Sequence, residues 1–181
     1  ARIGVGSIVQ PTPQRMRYLE RVLAAYEARY GEALPTDMWV IHNYILCETC
    51  FDGDGFPWGA CPVPDWAESD SPPEDAVTYS VHDHWRLDIF AERIVEFRRW
   101  MRDRGYRNVP LVISEYGILF YDGLVHDKTI EDNIVFMEGT YTWMREARDA
   151  AIGYPADDNR LVQQWAWYSL NHDGWRSEER R

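Results

Sequence analysis

The chain has 181 residues, 19 of them Lys or Arg and 30 Asp or Glu, for a formal net charge of −11. So acidic a surface speaks against a nucleic-acid partner or an anionic membrane surface, because both are bound through cationic patches. A hydrophobic content of 45% fits a packed globule rather than a disordered chain, and no apolar run approaches the ~20 residues of a membrane span. Nine tryptophans and eleven tyrosines are the unusual entries, and rings in that number suit stacking recognition as well as core packing.

In chain order, the first apolar β-rich run is Ile3–Val9. Thr12 as a cap and Pro13 at the first helical position open a helix. Met16, Leu19, Val22, Leu23, Tyr26 and Tyr30 keep its spacing up to Gly31. Met38–Leu46 reads as a second strand, nearly continuous in hydrophobicity, as strands buried on both faces are. A second helix begins near Asp83, with Leu87, Phe90, Ile94, Phe97 and Met101 in helical rhythm, and ends at Gly105. Leu111–Leu119 is a third strand. Thr129 with Asp132 has the form of a capping box ahead of Ile130, Ile134, Met137, Tyr141 and Met144. Leu161–Leu170 is the fourth strand. Alternation of strand and helix predicts βαβ crossovers and a parallel sheet in a single α/β domain spanning residues 1–181.

The connection over residues 47–82 breaks this rhythm. It holds five of the ten prolines and all three cysteines and follows the C-terminal end of a strand, where α/β folds place their sites. Connectors in such units usually take ~2–6 residues, so this insertion reads as a functional loop.

Three strand ends carry chemistry. Glu115, in Leu111-Val112-Ile113-Ser114-Glu115-Tyr116-Gly117, ends a run that should be buried, where a carboxylate is costly unless it is paired or exposed. It is a candidate nucleophile or general acid/base; the alternative is a structural carboxylate paired with an Arg from a nearby loop. His42 and Tyr44 share parity and face one way near the end of their strand, as substrate ligands or as ordinary core residues. Trp165 and Trp167 also share parity and offer either a sugar-stacking platform or packing under the helices.

Cys47, Cys50, Cys61, His82 and His84 supply zinc-ligand types without the second Cys pair of a finger or ribbon. Asp52-Gly53-Asp54-Gly55 faintly resembles a calcium loop, but Val63 stands where its bidentate Glu belongs. No cofactor and no metal is therefore expected. Gly4-x-Gly6 lacks the third glycine of a dinucleotide fingerprint, and no Gly-x-Ser-x-Gly or phosphate-loop motif is present.

Taken in order, His-x-Tyr, Ser-Glu-Tyr-Gly and Trp-x-Trp-Tyr-Ser resemble the ends of the last three strands of clan A glycoside hydrolases, the retaining (β/α)8-barrel enzymes. Val9–Pro13, Trp39–Leu46 and Gln164–Leu170 also look like a group of bacterial hydrolase-like proteins of that clan. The resemblance implies strands 5–8 of such a barrel, its C-terminal half, with Glu115 as nucleophile acting on a poly- or oligosaccharide. It makes His42 and Tyr44 substrate-binding residues and Trp165 or Trp167 the stacking platform. It also implies an extracellular or cell-surface location.

The clan's acid/base Glu follows an Asn at the end of the fourth strand, which would precede Ala1. Glu48, Asp52 and Asp54 are poor substitutes for it. Both chain ends read as internal to a longer protein, and the open edges of a half-barrel should promote self-association. Two alternatives remain: a barrel that binds sugar without turning it over, and an independent small, doubly wound α/β domain with a Cys/His metal loop.

Overall fold

The computed structural model describes residues 2–48, 74–119, 125 and 127–169. Four parallel strands form one sheet: β1 (Gly4–Gly6), β2 (Met38–His42), β3 (Leu111–Tyr116) and β4 (Gln164–Trp167), side by side in chain order. Between them run α1 (Pro13–Tyr30), α2 (Leu87–Asp103) and α3 (Ile130–Glu146), with short 3-10 turns at Val81–Trp85 and Pro155–Asp157.

Strict sequential order with right-handed crossovers carries every helix to the same face of the sheet. A single core shows the result: Leu19 of α1, Phe90, Ile94, Phe97 and Met101 of α2, and Phe136 and Met144 of α3 pack with Trp39, Ile41, Leu111 and Ile113. Each such fully buried apolar side chain contributes roughly 1.5–3 kcal/mol. The strand order never reverses, so the sheet has no switch point of the doubly wound kind.

Burial along β2 alternates, with Trp39 and Ile41 fully buried and Met38, Val40 and His42 half-buried. The expectation of strands covered on both faces therefore holds for the helix side alone; the other face stays partly open. The strands are also shorter than their apolar runs, because beyond residues 6, 42, 116 and 167 the chain leaves the ladder.

Helix ends follow the sequence signals except at α2, which starts at Leu87, after the 3-10 turn, rather than near Asp83. Gly31 closes α1 in the left-handed region at φ 72°, and Thr129 and Asp132 form the reciprocal capping box of α3. Thr12 does stand at the N-cap of α1, but its hydroxyl goes to the Glu48 carboxylate instead of to the helix. On α3 the inward face is Phe136, Thr140 and Met144, while Ile130 and Tyr141 are exposed.

Arg98, fully buried on α2, ties the lower ends of β3 and β4 together. Its guanidinium donates to the carbonyls of Val109 (3.0 Å) and Leu161 (2.6 Å) and to Gln163 Oε1 (2.6 Å). The same Oε1 accepts the Leu111 amide at 2.8 Å.

Candidate functional site

The C-terminal edge of the sheet gathers Glu115, His42 and Tyr44, and a β-bulge makes this possible. Ile41 pairs with Ile113, yet His42 pairs with Glu115, so β3 carries one extra residue relative to β2. It does so relative to β4 as well, since Ile113 pairs with Trp165 and Tyr116 with Trp167. Parity counted from Leu111 and Ile113 would send Glu115 into the helix layer. The extra residue instead leaves Ser114 and Glu115 both half-buried on the face of His42 and turns Tyr116 into the core.

At Glu115 both protein contacts fall on one oxygen. Tyr44 donates its hydroxyl to Oε2 at 3.2 Å, and His42 Nδ1 stands 3.3 Å from the same atom. Oε1 has no hydrogen-bond partner among the described residues, and the side chain keeps 38% of its accessible surface. One carboxylate oxygen is thus held and the other is open to solvent. Tyr44 is buried at 5% exposure. Burial first, and then the charge and hydrogen bond of Glu115, push its phenol far above the ordinary tyrosine range. It therefore stays a protonated donor. The His42 and Tyr44 rings meet edge to face at 6.2 Å.

Trp165 and Trp167 do not join this group. Their register partners Ile113 and Tyr116 are fully buried in the helix layer, and side chains paired across parallel strands share a face. Trp165 packs on Tyr141, and Trp167 on Tyr116 and Phe136, with centroids 5.3–6.3 Å apart. Tyr168, the residue after β4, donates its amide to the Tyr116 carbonyl at 2.7 Å and lies near enough to Tyr44 to help raise that phenol's pKa. Its opposite parity to Trp167 was the available signal for it.

Gly117 permits this closeness. At φ 154° it lies so near the Tyr168 carbonyl that a Cβ would overlap it.

Glu48 is fully buried and occupied. It accepts from Gln10 Nε2 (3.2 Å), Arg15 Nε (3.1 Å), the Val77 amide (3.4 Å) and the Thr12 hydroxyl. Asp52, Asp54, Cys50 and Cys61 lie outside the described residues.

His84 uses both ring nitrogens on backbone, Nδ1 with the Ile45 carbonyl at 2.8 Å and Nε2 with the Leu119 amide at 3.1 Å. His82 is engaged with Asp127 at 3.0 Å. Among the described residues no group of three or more His, Cys, Asp and Glu side chains is placed to hold a metal ion. Among them, too, no helix is long and apolar enough to cross a membrane.

No family model matches the chain, and neither a curated protein nor a solved structure is significantly similar to it. A groove of about 640 Å³ between the start of α2 and α3, lined by Leu87, Val135, Glu138, Gly139, Trp143 and Glu146 among others, contains none of these site residues.

Proposed function

We propose that the sheet is four consecutive βα units, strands 5–8, of a (β/α)8 barrel, and that its C-terminal edge is part of the site of a retaining glycoside hydrolase. The observation that carries this reading is the asymmetry at Glu115: His42 and Tyr44 both engage Oε2, while Oε1 is left for chemistry. Sequential strands with helices on one face, and the carboxylate at the strands' C-terminal end, are what a barrel site requires.

In the proposed reaction Glu115 attacks the anomeric carbon and displaces the leaving oxygen, which a second carboxylic acid protonates. The same group then activates water to release the sugar. Retention needs the two carboxyl groups ~5–5.5 Å apart. Glu48 is ruled out for that role by its four donors and complete burial. In the proposed barrel the acid/base residue belongs at the end of the fourth strand. The substrate is a poly- or oligosaccharide, and an extracellular or cell-surface location goes with it.

The test is covalent trapping in the intact polypeptide with 2-deoxy-2-fluoro glycosides, followed by peptide mapping. A glycosyl adduct on Glu115 is expected, absent in Glu115→Gln. An adduct on another carboxylate overturns the assignment. Sugar binding with no adduct from any glycoside favours a barrel that binds without turnover.

A further inference from the structure

We propose that Gln10 and His84 are positioning residues for Tyr44: where β2 ends they take over from the β ladder and hold the phenol against Glu115. The inference rests on the reading of Glu115 as nucleophile and concerns how its Tyr44 contact is kept in place.

Residues 43–48 have no regular secondary structure, yet all six are buried. Buried irregular backbone must find its partners outside a ladder. The first bonds continue the β1–β2 pairing, His42 N to the Ile8 carbonyl at 2.9 Å and Tyr44 N to the Val9 carbonyl at 3.3 Å. At the next step a side chain replaces the missing peptide. Gln10 Oε1 accepts the Leu46 amide at 2.8 Å, and Gln10 Nε2 donates to the Leu46 carbonyl at 2.9 Å. One carboxamide thus satisfies both backbone groups of the residue two places beyond Tyr44.

The carbonyl of Ile45, directly after Tyr44, is taken by His84 Nδ1, and His84 Nε2 accepts the Leu119 amide from the segment that follows β3. Those two bonds select one tautomer, Nδ1 protonated and Nε2 free to accept. Burial keeps the ring neutral, with its pKa pushed down to about 4. Gln10 is fixed in its turn by Glu48, which Thr12, Arg15 and the Val77 amide hold in place. No hydrogen bond or ion pair joins Gln10 or His84 to Glu115; Gln10 acts on it through the Tyr44 segment, and His84 through that segment and through Leu119 beyond β3. A displacement of about 1 Å at a reacting group can cost ~10²-fold in rate, which makes such a clamp worth keeping.

The contact can be read without any sugar. In protein carrying 3-fluorotyrosine, the Tyr44 fluorine resonance is identified by its loss in Tyr44→Phe, and its displacement in Glu115→Gln measures the contact. Gln10→Met and His84→Met are each expected to move that resonance by at least half of that displacement. His84→Asn, which keeps a donor for the Ile45 carbonyl, is expected to return most of it. Folded Met variants with Tyr44 at its wild-type position would overturn the proposal, leaving both residues as plain structural ties.

Should the Met variants not fold, Gln10→Asn and His84→Asn carry the test. The shortened carboxamide must move the Tyr44 resonance and the His84 variant must not, and a resonance unmoved in both overturns the proposal. A positioning effect with no glycosyl adduct on Glu115 would sink the hydrolase reading alone.

Discussion

Arg98 offers a prediction in which the conservative replacement is the worse one. Its guanidinium is wholly buried, and among the described residues it meets neutral acceptors and no carboxylate. Burial pushes its pKa down to about 10, with Asp157 opposing from a distance. That displacement corresponds to about 3 kcal/mol against the charged form. Arg98→Met removes the buried charge and leaves the Val109 and Leu161 carbonyls unpaired, at about 1–3 kcal/mol each. Gln163 Oε1 keeps the Leu111 amide. The net effect for Met then runs from about 1 kcal/mol of gain to about 3 kcal/mol of loss.

Arg98→Lys keeps a charge in the same place but cannot span the three acceptors that the planar fork reaches. An inadequately compensated buried charge costs about 3–5 kcal/mol. The Lys variant should therefore be the less stable of the two by roughly 2 kcal/mol, or several degrees in Tm for a chain of this size. Urea unfolding of the three proteins, followed by far-ultraviolet circular dichroism, measures the difference. A Lys variant as stable as the Met variant, or more so, would refute the view that bond geometry rather than charge is what Arg98 supplies.

Protonation of His84 should set an acid limit. It is neutral in the fold, with its pKa lowered to about 4, and titrates near 6.5 when unfolded, so the unfolded chain binds the extra proton between those values. Its stability contribution is complete above pH 6.5 and is lost as pH falls toward 4, by up to about 3 kcal/mol; urea midpoints across that window should flatten in His84→Gln. Gly117→Ala drives a Cβ into the Tyr168 carbonyl and should cost about 2–3 kcal/mol in the same assay. Trp165→Ala should lower stability by about 3 kcal/mol and leave sugar affinity unchanged, because its ring faces α3; lost affinity at full stability would contradict that placement. Among the described residues no strand pairs with the outer edges of β1 and β4, so sedimentation equilibrium should show self-association of the chain, shifted toward monomer by a charge at exposed Ala166 (Ala166→Lys).

The parts of the fold written as periodicity were legible. Phe90, Ile94, Phe97 and Met101 line the core as their spacing demands, and the capping box opens α3 at the expected residue. On α3 the spacing was right at Met144 but passed over Phe136 and Thr140. Polar Thr140 lies inside, bonded at 3.3 Å to the Tyr116 hydroxyl, and an apolar count passes over it. Glu115, His42 and Tyr44 were legible as types at strand ends, but their meeting depends on the bulge, and a bulge has no period. For Trp165 and Trp167 the sequence left platform and packing both open, since aromatic content says nothing of which face a strand turns outward; both rings pack on α3. The work done by Gln10 and His84 was hidden because a carboxamide or imidazole standing in for a peptide leaves no local pattern.

The two carboxylates Glu48 and Glu115 show why residue type alone could not assign the roles. Both lie toward the same end of the sheet, Glu115 within β3 and Glu48 six residues beyond the end of β2. Four donors and full burial satisfy Glu48, and an attacking group must shed its partners before it can react. Glu115 has two neighbours on one oxygen and keeps 38% of its side-chain surface exposed, so in the proposed reaction its desolvation would fall to the substrate. The bulge sets that difference. Delete Ser114, and parity returns the carboxylate to the layer of Phe90 and Phe97, where an unpaired charge costs several kcal/mol. Ser114 deletion should therefore abolish labelling of Glu115 and destabilise the chain together. A deletion variant that still labels would mean that the strand, not the bulge, aims the carboxylate.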